Sequence, residues 1–334
     1  MSERAALITA FLKTSGWGDA ARRALAGDAS FRKYERLAGR HGRAVLMDAP
    51  PPHEDVRPFI KVARHLTALG YSPPRILAED VAAGLLLLED LGDDTFTRLL
   101  AGGADEAGLY GLAIDLLIDL HRRAEAARID LPPYDDDRLL LEASLLTDWY
   151  MPAIGRPASA AARAEYLARW RRVFALFHGE QPTLVLRDFH VDNLMRLPDR
   201  GGIAACGLLD FQDALLGPPA YDLVSLLEDA RRDVAPALVT TMLERYEAAF
   251  PTMNRSDFLA RYAILGAQRN AKIVGIFTRL MVRDGKPHYL GHIPRVWRLL
   301  DSDLQHPALA EMRQWFDEHL PWAARIVPAA TVPA

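Results

Sequence analysis

The sequence has one cysteine and five lysines in 334 residues. Cys206 has no partner for an internal bond, which excludes a disulfide scaffold. Apolar runs such as Leu85 to Leu88 fall far short of the ~20 residues needed to cross a bilayer, so no membrane span is expected. Neither sign of charge dominates: 40 basic against 44 acidic residues leave a formal charge of -4. That balance lacks the field that holds a nucleic acid backbone, which argues against a nucleic acid partner. Met1 to Gly18 mixes charges among its apolar residues instead of forming a signal-peptide core, and together with the single cysteine this fits a reducing cytoplasm. What is present is a composition half apolar and a quarter charged. A globular chain of this length buries a sizeable core and commonly divides into two lobes.

Leu7, Ile8, Phe11 and Leu12 recur at helical spacing behind Ser2 and predict an amphipathic opening helix. Phe31 to Leu37 and Arg43 to Met47 read as strands around a Gly39 to Gly42 turn, stopped by Pro50, Pro51 and Pro52. Pro58 suits the first turn of a helix that buries Phe59, Ile60, Val62, Ala63, Leu66 and Leu69 and ends near Gly70. Arg75 to Leu77 and Gly84 to Leu88 add two short strands. From Thr97 onward helices dominate, interrupted by strands at Thr183 to Leu186 and Ile203 to Leu209. The predicted organisation is a small mixed lobe, residues 1–91, and a larger helical lobe, residues 92–334, joined at Leu88 to Gly92.

The segment Thr183-Leu-Val-Leu-Arg-Asp-Phe-His-Val-Asp-Asn-Leu194 places an apolar strand before a polar loop holding Asp188 and Asn193. A second strand, Cys206-Gly-Leu-Leu, delivers Asp210. A hairpin between these two strands, turning at Asp199 to Gly202, is expected to bring Asp188, Asn193 and Asp210 to one polar end. Phosphoryl transfer asks for a carboxylate to orient the acceptor hydroxyl and for hard oxygen ligands to hold magnesium on the phosphates. The triplet contains both.

Asp188-x-x-x-x-Asn193 followed by Leu208-Leu209-Asp210-Phe211 resembles the catalytic loop and metal-binding aspartate of the aminoglycoside phosphotransferase-like kinases, which share the protein-kinase fold. The resemblance implies a two-lobed α+β fold, with a small N-terminal antiparallel-sheet lobe, a larger mainly helical C-terminal lobe, and ATP and Mg2+ between them. It implies Asp188 as the catalytic base touching the acceptor, and Asn193 and Asp210 as the magnesium ligands. Gly27-Asp-Ala-Ser-Phe-Arg-Lys-Tyr-Glu-Arg36, Val45-Leu-Met-Asp-Ala-Pro-Pro51 and Gln268-Arg-Asn-Ala-Lys-Ile-Val-Gly-Ile-Phe277 are similar to the bacterial N-acetylmuramate/N-acetylglucosamine anomeric kinases of cell-wall recycling. Arg283-Asp-Gly-Lys, Tyr289-Leu and Ile293-Pro-Arg295 fit the same family. This narrower resemblance implies transfer of the ATP γ-phosphate to the anomeric hydroxyl of a free amino sugar. A monomer is expected.

In the loop after Gly27, backbone N–H groups of Asp28 and Ala29 and the Ser30 hydroxyl are candidates to cap phosphate oxygens; an ordinary hairpin turn is the alternative. Kinases of this fold carry a lysine on the third strand, where this chain has Val45-Leu46-Met47. Arg32 and Lys33 follow the loop and point to opposite strand faces, so one should reach inward. Arg32, beside Phe31, is the first choice, and two solvated cations are the alternative. Glu54 is the nearest candidate for the partner carboxylate, or else a helix-start acid favoured by the dipole. Backbone groups of Glu89 and Leu91, at the lobe junction, are candidates for the adenine edge, against a plain buried strand with an acidic turn.

On the acceptor side, Asp213 faces the sugar or solvent, Trp149 stacks on a sugar face or packs in the core, and Arg269 is a candidate partner for the lactyl carboxylate of N-acetylmuramate. Asp222 is expected to cap a helix or brace the catalytic loop, and His190 to be a structural hydrogen-bonder. Asp115 and Asp119 read as a solvated helix edge without a cation, and Asp135-Asp-Asp137 as a helix cap. Three rival functions remain: a same-fold kinase for an aminoglycoside, choline or homoserine; an ATP-binding pseudokinase, motivated by the absent lysine; and a metal-dependent hydrolase built on Asp188, His190, Asp192 and Asp210.

Overall fold

The structure, a computed structural model, describes residues 3–25 and 31–329. It opens with α1 (Glu3–Thr14), β1 (Ala21–Ala24), β2 (Lys33–Gly39), β3 (Gly42–Asp48), α2 (Arg57–Ala68), β4 (Ile76–Asp80) and β5 (Leu85–Glu89). Helices α3 (Phe96–Ala101), α4 (Glu106–Arg122) and α5 (Asp136–Ala143) follow, then a π-helical turn (Leu146–Tyr150), α6 (Met151–Ala153) and α7 (Ala160–Phe174). Four short strands come next: β6 (Thr183–Val185), β7 (Leu194–Arg196), β8 (Cys206–Leu208) and β9 (Leu215–Gly217). The chain ends in α8 (Ala220–Leu227), α9 (Pro236–Ala248), α10 (Arg255–Asp284), α11 (Ile293–Asp303) and α12 (Ala310–His319). It divides into two compact units, residues 1–116 with 191–214 and residues 117–190 with 215–334.

In the first unit the expected antiparallel sheet is present, with strand order β1-β2-β3-β5-β4. Leu85 and Leu87 of β5 pack with Ile8, Phe11 and Leu12 of α1 and with Trp17. Leu86 and Leu88, on the other face, are buried as well. A strand covered on both sides reads as an unbroken apolar run, which is why four leucines stand together. Helix α2 takes Pro58 in its first turn and buries Phe59, Ile60, Val62, Ala63 and Leu66, while Leu69 lies just beyond it, half-buried. Gly84 holds a left-handed φ of +65° where an added Cβ would stand 2.1 Å from the Ala49 carbonyl oxygen. Only glycine admits that approach of β3 to β5, closed by the Ala49 N–H to Gly84 oxygen bond of 2.9 Å.

The hairpin differs from expectation. Strand β6 does not pair with β8; it pairs with β9, and β8 pairs with the three-residue strand β7 in the register Leu194↔Leu208. The chain turns at Leu197 to Arg200, where the Arg200 N–H meets the Leu197 oxygen at 3.1 Å; Gly202–Ala205 then forms a 3-10 turn, so the strand expected from Ile203 begins only at Cys206, and Leu-Met-Arg is too short to register as a strand in the sequence. In the second unit the 30-residue helix α10 runs from its Asn254 cap to the left-handed Gly285 and is buried along much of its length. An added Cβ on Gly275 would meet the Leu145 carbonyl carbon at 2.4 Å, so glycine is what lets α10 close on the segment before the π-turn. Tyr166, Trp170, Trp297, Trp315 and Phe316 form a buried aromatic cluster behind it. Among the described residues no helix is long and apolar enough to cross a membrane.

Candidate active site

The first unit holds Asn193 and Asp210. The β7–β8 ladder continues through a Leu209 N–H to Asn193 oxygen bond of 2.9 Å, so the two residues leave the hairpin at the same end. Asn193 Nδ2 lies 3.5 Å from Asp210 Oδ2, and Gln212 Nε2 donates to Asp210 Oδ1 at 2.7 Å. Asp210 sits at φ +56°, a left-handed conformation that aspartate adopts more readily than most side chains. The next residue, buried Phe211, fixes that turn by packing its ring 5.0 Å from Phe59 of α2.

Arg32 turns inward and Lys33 is exposed on the opposite face. Arg32 Nε meets Glu54 Oε2 at 2.9 Å, and the other Glu54 oxygen accepts the Phe31 N–H at 3.1 Å. The two side chains are only 16% and 12% exposed. Glu54 therefore pairs with the cation in place of capping α2; the turn after the proline run delivers it, its N–H donating to Pro50 oxygen at 3.2 Å. Burial works against the Arg32 charge, yet Tyr34, Glu54 and Asp213 more than restore it and its pKa is raised. Burial likewise raises the Tyr34 phenol, partly opposed by Arg32 and reinforced by Asp210. Arg32, Tyr34, Glu54, Asp210 and Asp213 thus form one electrostatic group within this unit. At the place expected for the lysine, β3 has Val45, Leu46 and Met47; its one cation, Arg43, is exposed near the start of the strand. Asp28, Ala29 and Ser30 lie outside the described residues.

At the end of β5, Glu89 spends its N–H on the Arg75 oxygen at 2.8 Å and its carboxylate on Arg200 and Arg75, at 2.6 and 3.2 Å. Burial would raise that acid, but the two arginines hold it below the ordinary range. Leu91 is half-buried. The sequence reading missed Arg36, whose guanidinium clamps this segment by donating to Asp90 at 3.0 Å, Asp93 at 2.8 Å and the Gly92 oxygen at 2.8 Å. Alternation along β2 was the available signal, since it turns Arg36 to the same face as Arg32.

The second unit holds Asp188, on the loop leaving β6. Asp222, fully buried on α8, braces that loop as expected: it accepts the N–H groups of Leu186 and Arg187 at 2.7 and 2.8 Å. Burial pushes the Asp222 acid up to about 7, against the pull of those two donors. Ser225 Oγ donates to the Arg187 oxygen at 3.0 Å. Arg187 itself sits at φ +70°, a strained value for this side chain. His190 is buried, donating its N–H to the Asp188 oxygen at 3.1 Å and meeting Arg231 through Nε2 at 3.3 Å, a structural placement.

Arg269 is 5% exposed and donates to Ser225 Oγ at 2.9 Å, the same hydroxyl that holds the Arg187 oxygen. Trp149 stands half-buried on the π-turn and Asp213 is exposed. Asp135 caps α5 through the Arg138 N–H at 3.0 Å, whereas Asp119 does have a cation, Arg123 at 2.7 Å one turn on. Among the described residues no three His, Cys, Asp or Glu side chains gather into a group that could hold a metal ion. The neighbouring carboxylate and amide of Asp210 and Asn193 are hard oxygen donors, the set that suits magnesium and not a thiolate- or imidazole-seeking ion.

The model of the phosphotransferase enzyme family matches residues 21–259. The N-acetylmuramate/N-acetylglucosamine kinase of Caulobacter vibrioides is 42% identical, covering 97% of this chain and 99% of that protein. The protein of the same name from Pseudomonas aeruginosa is 41% identical, covering 89% of each. A choline/ethanolamine kinase family protein from Mesorhizobium loti superposes with a TM-score of 0.64 at 14% identity, covering 93% of this chain and 98% of that one. Aminoglycoside 2'-phosphotransferase-IIIa superposes at 0.60, also at 14% identity, covering 90% and 98%. These two likenesses establish the expected protein-kinase-like fold. With a family model over most of its length and relatives above 40% identity, the chain is a phosphotransferase: it belongs to the phosphotransferase enzyme family and, within it, to the group of the N-acetylmuramate/N-acetylglucosamine kinases.

Proposed function

We propose that this chain is an ATP-dependent kinase that phosphorylates the anomeric hydroxyl of free N-acetylmuramate and N-acetylglucosamine, giving sugar 1-phosphates for peptidoglycan recycling. The observation that carries the substrate is the 42% identity, across 97% of the chain, with a protein named for these two sugars. The reaction is placed in the cytoplasm and assigned to a monomer, with residues 1–91 serving the nucleotide and 92–334 the chemistry and the sugar.

Asp188 accepts a hydrogen bond from the anomeric hydroxyl and takes its proton as that oxygen bonds to the γ-phosphorus. The bond from γ-phosphorus to the bridging oxygen breaks, and ADP leaves with the electron pair. Asp222 and Ser225 hold the backbone in front of Asp188, so its carboxylate is presented with little freedom to lose. Asn193 and Asp210 would hold magnesium, which when bound neutralises charge on the phosphate oxygens. Arg32 supplies the cation that a third-strand lysine supplies elsewhere in the fold, and Glu54 keeps it aimed. This pair takes away the motive for a pseudokinase. Asp28, Ala29 and Ser30 cap phosphate oxygens, Glu89 and Leu91 meet the adenine edge through their backbone, and Asp213 and Trp149 serve the sugar.

Phosphorus NMR after incubation with ATP, magnesium and each free amino sugar tests the reading. The expected product is acid-labile and resists borohydride reduction, because the anomeric carbon is blocked. A stable ester that still reduces, or ADP formation only with choline or an aminoglycoside, would overturn it. Asp188→Asn should retain ATP binding and lose about 10² to 10⁴ in turnover; unchanged turnover would refute the base assignment.

A further inference from the structure

The segment Gln268 to Phe277 carries part of the family resemblance, yet the reaction as proposed gives its one lysine no task. Lys272 is also scarce by type, and its side chain is only 12% exposed. Its Nζ lies 3.0 Å from Glu142 Oε2 and donates to the Tyr221 hydroxyl at 3.2 Å. Glu142, on α5, is 9% exposed and accepts hydrogen bonds from the Tyr134 hydroxyl and from the Arg187 guanidinium. The guanidinium carbon also stands 5.6 Å over the Tyr134 ring. The three charges support one another: burial would raise the Glu142 acid, but Lys272 and Arg187 hold it below its ordinary range.

Arg187 immediately precedes Asp188. Its N–H is bound by Asp222, its carbonyl by Ser225, which in turn accepts from Arg269 of α10, and its guanidinium by Glu142. The peptide leading into Asp188 is therefore held at three points while in a left-handed conformation. Loss of the side-chain anchor would let that strained residue relax, and the turn would carry Asp188 with it.

We infer that Glu142 and Lys272 are positioning residues for Asp188, acting through the Arg187 guanidinium. This rests on Asp188 being the base in the proposed reaction, so the test has one readout that needs no substrate. The variants are Lys272→Met, Glu142→Gln and Lys272→Arg, each first shown to fold by circular dichroism. Amide hydrogen exchange of the peptide spanning residues 184–190 should rise at least tenfold in Lys272→Met and Glu142→Gln, with Lys272→Arg near wild type. The same two variants should lose about 10- to 100-fold in kcat with the ATP KM within twofold. The double variant should be no slower than Glu142→Gln alone, because Lys272 acts through that carboxylate.

Unchanged exchange in the folded variants would overturn the inference, and so would faster exchange with wild-type kcat, or a loss confined to KM. Should Lys272→Met fail to fold, Glu142→Gln and Lys272→Arg decide it. A wild-type protein inactive on both sugars would instead defeat the proposed reaction, leaving the exchange result to judge the anchor.

Discussion

Replacing Arg32 by alanine tests the replacement of the third-strand lysine. Arg32 and Glu54 make one 2.9 Å ion pair with both side chains more than four-fifths covered, so solvent screens the guanidinium less than it would a surface charge. Hydrogen bonds to charged groups contribute about 1.5 to 3 kcal/mol each. Losing one such bond to a nucleotide phosphate converts to about a 10- to 100-fold rise in the ATP KM. The sugar KM should stay within twofold, because only the nucleotide loses a partner. Glu54→Gln keeps the shape and removes the charge that aims Arg32, so it should raise the ATP KM by a smaller factor. Lys33→Ala, one residue away on the exposed face, is the internal control and should change neither constant. A coupled ADP-release assay with ATP varied at saturating sugar, then the reverse, reads all three variants. An Arg32→Ala enzyme with a wild-type ATP KM, or a Lys33→Ala enzyme with the larger defect, would refute the assignment of this pair.

Three further outcomes follow from the structure. Asp210→Asn removes a charged oxygen donor beside Asn193 and should raise the magnesium concentration for half-maximal activity at least about tenfold; an unaltered magnesium titration would exclude it as a ligand. Gly275→Ala places a Cβ 2.4 Å from the Leu145 carbonyl carbon and should cost about 1 to 3 kcal/mol by denaturant titration, whereas Gly291→Ala, which meets nothing within 4 Å, should be near neutral. Asn270 Nδ2 donates to both Glu228 and Asp303, at 2.8 and 3.0 Å, and burial raises both acids. The folded state thus keeps protons that the unfolded state releases above about pH 4, so this contribution is full at low pH and fades as pH rises through the elevated folded values. Asp303→Asn imitates the protonated acid, and melting curves from pH 5 to 8 should show a flatter dependence than wild type; an identical slope would remove the pair as its source.

How much of this was legible in the sequence depended on whether a signal was local. The leucine run of β5, the Pro58 helix and the spacing from Asp188 to Asn193 are patterns within a dozen residues, and each could be read from periodicity or turn chemistry. Strand β1 could not, because Ala-Arg-Arg-Ala is exposed throughout and carries no alternation. Strand β7 escaped by shortness, and with it the pairing that sets Asn193 beside Asp210. Glu54 could be named as a candidate partner for Arg32 because it stands just ahead of the Pro58 helix, but the pair of Lys272 with Glu142 joins residues far apart in the chain, and nothing local to either names its partner.

The backbone conformations of Arg187 and Asp210 show where local reading must fail. Among the described residues only Arg187 and Asp210 combine a side chain with a positive φ, at 70° and 56°. Glycine would adopt either conformation without strain, and ten glycines do so elsewhere in the described chain. A side chain kept at such a position costs about 1 to 3 kcal/mol and persists where its surroundings over-determine it. At Asp210 the surroundings are Gln212 and the Phe211–Phe59 contact, and the side chain retained is the proposed metal ligand. At Arg187 they are Asp222 and Ser225, which grip only backbone atoms and would hold a glycine as well. What a glycine would forfeit is the guanidinium, with its bond to Glu142 and its place over the Tyr134 ring. The strain at Arg187 is therefore offset only if its guanidinium has a task, and the position next to Asp188 says what that task controls.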